Sequence, residues 1–451
     1  MKTSVKTISK KLQYSLQKGI TELSVAGYKS IGRLQTIDLK PLTILSGSNS
    51  SGKSSIMQPL LLLKQTLEAG YDPGPLLLNG PNLKYNSASD ILTQCKNNKL
   101  NSFSVGIRVA KNELLTTSYK KQINKGFKID EMTYGDKNEI HFNQSMSASD
   151  TERIVPNEFK DLYKVLPKKY RPEIEWHITR NRCFLEAVPK SKDGSQMGPN
   201  VSPSSIVANA IRNIIHLPGL RGNPARTYPI TAVGRSFPGT FETYSASILA
   251  DWQDSKNNKL RELCADLERL GLTWKVAASR INDTQVELKV GRLPHATRGG
   301  AMDLVNIADV GFGVSQTLPV VVALHVAAPG QTVYLEQPEI HLHPRAQAVM
   351  AEVITDAVNR GVKVVVETHS SIFLLTMQSL VAEEKLPSDV VSLHWFSRDD
   401  DGLTIVTSAS LDSSGSFGQW PEDFGAVNLE IESRYLDAFE SKLGVDSSGC
   451  K

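Results

Sequence analysis

Cysteine is scarce in this sequence. The four present, Cys95, Cys183, Cys264 and Cys450, are widely spaced, with no Cys-x-x-Cys pair and no Cys/His cluster. That excludes a zinc-finger-type site and a disulfide framework, and it fits a reducing compartment, so a cytoplasmic location is expected. Long hydrophobic runs are also missing. The longest, Leu318 to Ala328, is interrupted by Pro319 and His325 and is too short to cross a bilayer, so no membrane partner is expected. Charge of one sign is missing too: 51 Lys and Arg against 47 Asp and Glu leave +4. A balance so near neutral neither demands nucleic acid nor excludes it, because a local basic patch can hide in the total.

What is present is core-forming material. The chain has 451 residues, 40% hydrophobic and 22% charged, which excludes a disordered or collagen-like protein and leaves room for about three domain-sized units. Residues 1–20 carry five lysines and no acid, with Val5, Ile8, Leu12 and Leu16 at helical spacing. They read as an amphipathic basic arm that packs on its own domain or a partner, or touches DNA or lipid. They lack the unbroken apolar stretch and cleavage site of a signal peptide.

From Thr21 short strands are predicted at Glu22–Tyr28, Leu34–Leu39 and Leu42–Leu45, then a helix over 52–69 that Pro59 should kink at a cost of about 3 kcal/mol. An antiparallel meander follows between Ser102 and Phe142. Residues 148–300 are less regular, with a helix expected at Glu152–Leu166, a hairpin in EIEWHITR and RCFLEAV, and helices at Ser205–Ile215, Tyr244–Gln253 and Lys259–Leu270. After Gly300, helices and strands alternate, which implies a parallel sheet covered on both faces. The division read from this order is 1–20 arm, 21–147 first lobe, 148–300 insertion and dimer or partner contact, 301–410 second lobe, and 411–451 tail.

Gly47-Ser48-Asn49-Ser50-Ser51-Gly52-Lys53-Ser54 fits G-x-x-x-x-G-K-[ST] between a predicted strand and a predicted helix, with Ser55 next in line. Such a loop turns its backbone N–H groups around phosphates. Its lysine reaches the β- and γ-phosphates, and its serine hydroxyl faces Mg²⁺. ATP and Mg²⁺ are therefore the expected cofactors. A nucleotide site of this kind needs an acid at a strand end for the metal, and Thr332-Val333-Tyr334-Leu335-Glu336 supplies Glu336. Gln337 and Glu339 are the candidates to orient or deprotonate water. A later strand ends in Glu367-Thr368-His369-Ser370, where His369 is placed to sense the γ-phosphate.

The order GSNSSGKSS, DVGFGVSQTLPVVVAL, VYLEQPEIHLHPRAQ, VVVETHSS resembles the ABC-type ATPases of the OLD and SMC/RecF lineage, in particular stand-alone members of bacterial anti-phage operons. The resemblance covers about residues 20–110 and 205–440. It implies an α/β P-loop fold, with a mixed or parallel sheet flanked by helices, an antiparallel meander, and a long mixed insertion between the Walker A and signature segments. It makes Lys53 and Ser54 the Walker A residues, Glu336 the Walker B acid, His343 the D-loop position and His369 the switch histidine. Gly311, Gly313 and Ser315 fall in the signature segment, which in this family reaches the γ-phosphate held by the opposite protomer; Ser315 and Gly313 both remain candidates for that contact. The resemblance further implies a homodimer or higher homo-oligomer that hydrolyses ATP and gates a separate effector, a nuclease, in anti-phage defence. The alternative is a DNA-repair or recombination clamp.

Where the family has a catalytic glutamate after the Walker B acid, this chain has Gln337. An amide orients water but takes no proton, so either Glu339 substitutes or hydrolysis is slow. Gln94 and Asp90 compete for the Q-loop. HLPGLRGNPARTYP, with Arg221 and Arg226, and the tail motif Gly418–Phe424 also resemble the family. LPKKYRPEIEWHITRNR gathers Lys168, Lys169, Arg171, Arg180 and Arg182 near Tyr170 and Trp176, which is either a nucleic-acid surface or solvated charge. Asp399-Asp400-Asp401-Gly402 reads as a hairpin turn rather than half of a nuclease metal site.

Overall fold

The computed structural model describes residues 18–95, 98–164, 174–232, 234–293, 295, 303–418, 430 and 433–439. Its centre is a six-stranded sheet in the spatial order Ile215–Leu217, Thr332–Glu336, Lys363–Glu367, Leu42–Gly47, Val391–Arg398, Thr404–Ala409. The first five run parallel, and the last closes an antiparallel hairpin. Parallel strands need both faces covered. Successive residues here do go to opposite cores: Ile44, Val364, Val366, Val333 and Leu335 to one, and Leu45, Val365, Tyr334 and Phe396 to the other.

The first core lies under helices Phe312–Val326, Pro344–Asn359 and Ser371–Ala382, joined by Ser245–Asp254 and Asn258–Arg269. The second lies around helix Lys53–Glu68, in one cluster with the central sheet and a six-stranded antiparallel sheet. That sheet is Gln35–Asp38, Ile20–Ala26, Ser102–Val109, Leu115–Gln122, Gly126–Tyr134, Ile140–Phe142, which contains the expected meander. Leu60, Leu61, Leu62 and Leu63 are all buried, so the helix is enclosed on every side. Each such leucine contributes about 2 kcal/mol by leaving water. The segment stays helical across Pro59, whose ring is buried with its neighbours.

Several elements differ from expectation. The helix expected at Glu152–Leu166 is two, Ala148–Ile154 and Asn157–Lys164, separated at Val155 and Pro156, because a residue before proline is pushed to extended backbone. The helix expected to reach Ile215 ends at Arg212, and Ile215–Leu217 joins the central sheet beside Val333–Leu335. An antiparallel pair, Val276–Asn282 with Gln285–Gly291, was not anticipated. The EIEWHITR hairpin forms as expected, Ile174–Asn181 with Phe184–Ser191. So does the acidic turn, in which an Asp399 carboxylate oxygen accepts from the N–H groups of Asp401 and Leu403. The arm at 1–17 and the tail motif beyond Gly418 lie outside the described residues. Among the described residues no helix is long and apolar enough to cross a membrane.

Candidate nucleotide site

Because the central strands are parallel, Gly47, Glu336 and Glu367 all end at one edge of the sheet, where ligands of open α/β folds gather. The turn leaving Gly47 needs its glycines. Gly47 has φ 143°, and a Cβ there would meet the Phe396 carbonyl oxygen at 2.1 Å. Gly52 has φ 103°, and its Cβ would lie 2.2 Å from Thr404 Oγ1. Ser50 is also left-handed, at φ 59°. Its carbonyl accepts from Arg398 Nε and Nη2 at 2.9 and 2.5 Å. The loop borders a cleft of about 680 Å³ at the start of helix Lys53–Glu68, whose positive end favours anions.

Lys53 is buried and folds back to donate to the carbonyls of Gly47 (3.1 Å) and Ser48 (2.7 Å). Burial lowers its pKa, against the charge of Glu367. Ser51 lines the cleft with a buried hydroxyl that has no hydrogen-bond partner among the described residues. Asn49, Ser50, Ser54 and Ser55 line the same cleft, as do Gln337, Glu367 and His369.

Ser54 Oγ donates to Glu367 Oε1 at 2.9 Å, and Tyr334 OH donates to Glu367 Oε2 at 3.2 Å. Burial pushes the Glu367 carboxyl up; the hydrogen bond from Ser54 opposes this, and the nearby charge of Glu336 adds to it. Glu336 does not line the cleft. Its Oε1 pairs with His216 Nε2 at 3.1 Å and its Oε2 accepts from the Gly219 N–H at 3.1 Å. Burial would raise its pKa, but His216, Gly219 and Arg221 outweigh that and hold it low.

Gln337 is left-handed at φ 46° and donates its N–H to the Glu367 carbonyl at 2.8 Å. Glu339 is buried; its Oε1 accepts from Thr368 Oγ1 (2.7 Å) and the His369 N–H (3.0 Å), so it fixes the turn carrying the histidine. Burial, then the Lys53 charge, lowers the His369 pKa and favours the neutral ring.

Glu367 and Gln58 carry no role in the sequence expectations, and Arg221 enters them only through the family resemblance. Glu367 stands in the sequence only as a neighbour of His369, although its adjacency to the phosphate-loop strand puts it on Ser54. Gln58 lines the cleft, whereas the Q-loop candidates Gln94 and Asp90 do not. Arg221 is buried and holds three carbonyls, Gln316 (3.1 Å), Glu336 (2.9 Å) and Gln337 (3.4 Å), while Gln316 Nε2 returns a bond to the Gly222 carbonyl at 2.6 Å. Arg226 instead forms an exposed pair with Asp309.

The structure does not bring the signature segment to the cleft. Gly311 precedes helix Phe312–Val326, Gly313 and Ser315 lie in its first turn, and none of them, nor His343, lines the cleft. Ser315 donates to the Phe312 carbonyl at 3.3 Å. Phe312 is half exposed and its ring lies 5.7 Å from that of His341. His343 is exposed and caps helix Pro344–Asn359. The basic segment is partly accounted for: Arg180 grips Asp72 through two bonds, Arg182 donates to the Tyr71 carbonyl, and Trp176 is in the core. Lys168, Lys169, Tyr170 and Arg171 lie outside the described residues.

Two family models match the chain: "AAA ATPase domain" over residues 19–188, and "AAA domain, putative AbiEii toxin, Type IV TA system" over residues 270–376. The first spans the phosphate loop and the second Glu336 to His369. No curated protein matches the chain. Similar solved structures include an SMC head bound to the C-terminal winged-helix domain of ScpA, at 15% identity and TM-score 0.45, covering 88% of this chain and 99% of that one. The SMC head domain from Thermotoga maritima is similar at 11% identity and TM-score 0.39, with 86% and 98% covered. A Pyrococcus furiosus Smc head with an extended coiled coil, bound to the C-terminal domain of ScpA, is similar at 12% identity and TM-score 0.43, with 94% and 99% covered.

Proposed function

We propose that this chain, an AAA-type P-loop ATPase, is an ATP-dependent clamp: two copies close head to head over two nucleotides, and the closed pair retains nucleic acid. The observation that carries this reading is the open cleft. Its lining residues come from Lys29 and Ser30, the loop and the helix after it as far as Gln58, the Gln337 turn, Glu367, His369 and Arg398, while Gly313, Ser315 and His343 of the same chain are elsewhere. A second copy's signature segment would supply the missing wall.

In this reading the loop N–H groups and the helix end bind the phosphates, and Lys53 leaves its two carbonyls to meet them. His369 contacts the γ-phosphate as a neutral donor. Gln337 holds water in line but cannot accept its proton, so hydrolysis is slow and the closed state long-lived. Glu339, held by Thr368 and His369, positions the histidine rather than acting as the base. Magnesium, when bound, neutralises charge on the transferred phosphoryl group, and the hydroxyl and carboxylate oxygens beside Lys53 are of the type it takes.

The test is retention of DNA by the purified chain. With ATP and magnesium, a closed circle should survive a high-salt wash and be released when linearised, and Lys53→Ala should retain none. A second reading, gating of a separate nuclease in anti-phage defence, is supported by the match of residues 270–376 to the AbiEii-type model. Residues 148–300 would then be the partner contact. Absence of retention, together with a nuclease co-purifying in fixed ratio, would move the conclusion to it.

A further inference from the structure

We propose that the carboxylate holding the nucleotide's metal ion in this chain is Glu367, acting with Ser54, and that Glu336 is a brace for the segment 215–221. This rests on the nucleotide-site reading above. Three observations carry it. The strand ending in Glu367 lies directly beside the phosphate-loop strand, with Glu367 in register with Leu45, whereas Glu336 ends one strand further out. Ser54 Oγ already donates to Glu367 Oε1 at 2.9 Å, and Glu367 lines the cleft while Glu336 does not. Glu336 is held from the other side, by His216 Nε2 and the Gly219 N–H of the segment 215–221, each at 3.1 Å.

The local chemistry fits the assignment. Magnesium takes one or two carboxylates together with substrate phosphates, and it favours hard oxygen donors. Glu367 presents an oxygen next to the loop hydroxyl, and Tyr334 OH fixes its other oxygen from inside the sheet. Tyr334 is fully buried and stacks on His216, with ring centroids 5.4 Å apart, so the carboxylate is aimed before any metal arrives. Glu336, in turn, ties His216 to the strand, and His216 Nδ1 meets Asn82 Nδ2 at 3.0 Å. Its hydrogen bonds hold the loop that delivers Arg221. Ser54 and Glu367 would hold the metal once the Ser54 hydroxyl proton turned away from Glu367.

The experiment measures binding of a fluorescent ATP analogue with magnesium and with EDTA, in the full chain and in Glu367→Gln, Glu336→Gln and Ser54→Ala. Glutamine keeps an acceptor for Tyr334, and thermal melting confirms folding of each variant. The expected result is that magnesium strengthens binding to the wild type, and that Glu367→Gln and Ser54→Ala lose that increment by at least about tenfold. Binding in EDTA should persist in both. Glu336→Gln is expected to keep the increment and to melt earlier. Loss of the increment in Glu336→Gln, or its retention in Glu367→Gln, would overturn the assignment. A wild type that binds no analogue in either condition would overturn the nucleotide reading itself.

Discussion

The guanidinium of Arg221 donates to the main-chain carbonyl of Glu336 at 2.9 Å and, through its other terminal nitrogen, to that of Gln316 at 3.1 Å. One buried side chain thus joins the acidic strand end to the helix that begins with the signature segment. Arg221→Ala would leave these carbonyls without their charged donor, at about 1–3 kcal/mol for each buried group left unpaired. The expected outcome is a lower urea midpoint together with weaker ATP-dependent self-association. Arg221→Lys should recover only part of it, because an ammonium cannot reproduce the planar fork. Urea unfolding followed at two wavelengths checks the first part.

Gly47→Ala tests the phosphate loop without removing a polar group. The added Cβ would lie 2.1 Å from the Phe396 carbonyl oxygen, at a φ that side chains rarely adopt. Such strain costs about 1–3 kcal/mol, and relieving it must move the loop. Nucleotide affinity should fall by more than the stability does, as measured by analogue binding beside a thermal melt. Unchanged binding would mean that the loop is looser than this geometry.

The loop was legible in the sequence because its chemistry is local: glycines, lysine and serine at fixed spacing. Glu367 was not. Its contact with Ser54 follows from which strand lies beside Leu42–Gly47, a matter of topology that the string ETHS does not encode. Arg221 stood out only through the family resemblance, and its contacts were hidden for a related reason, since its acceptors are main-chain carbonyls far along the chain, and carbonyls carry no sequence signal. The three-residue strand Ile215–Leu217 is too short for periodicity to reveal. By contrast, Val276–Asn282 and Gln285–Gly291 had a readable signal, alternation in QVELKV beside the turn residues Asn282-Asp283-Thr284.

Lys64 and Glu68 form an ion pair inside the core of helix Lys53–Glu68, where the ammonium also donates to the Phe237 carbonyl at 3.0 Å. Burial lowers the lysine pKa and raises that of the glutamate, and each charge resists the other's shift. Glu68→Ala leaves an unpaired buried charge and should destabilise the fold by about 3–5 kcal/mol. The double change Lys64→Met with Glu68→Leu should cost clearly less. Chemical denaturation of the three proteins measures the difference.

Stability should depend on alkaline pH through Lys363, which is buried with its Nζ on the carbonyls of Ile20 (2.8 Å) and Lys18 (3.1 Å). Burial pushes its pKa down to about 8. Between about 8 and the ordinary lysine value near 10.4, the unfolded chain binds more protons than the folded one, so this group makes stability rise with pH across that window. Lys363→Met should remove that rise. Denaturation midpoints of both proteins at pH 7.5 and 10, chosen to bracket roughly this window, provide the comparison.

The most direct test of ATP-driven closure is sedimentation velocity of the full chain with and without ATP and magnesium. A monomer that becomes a dimer only with nucleotide is the predicted result, abolished by Lys53→Ala and by Ser315→Arg and partly restored when those two variants are mixed, since one composite site then stays intact. An association state that ignores ATP, or a mixture no better than either variant alone, would contradict the account.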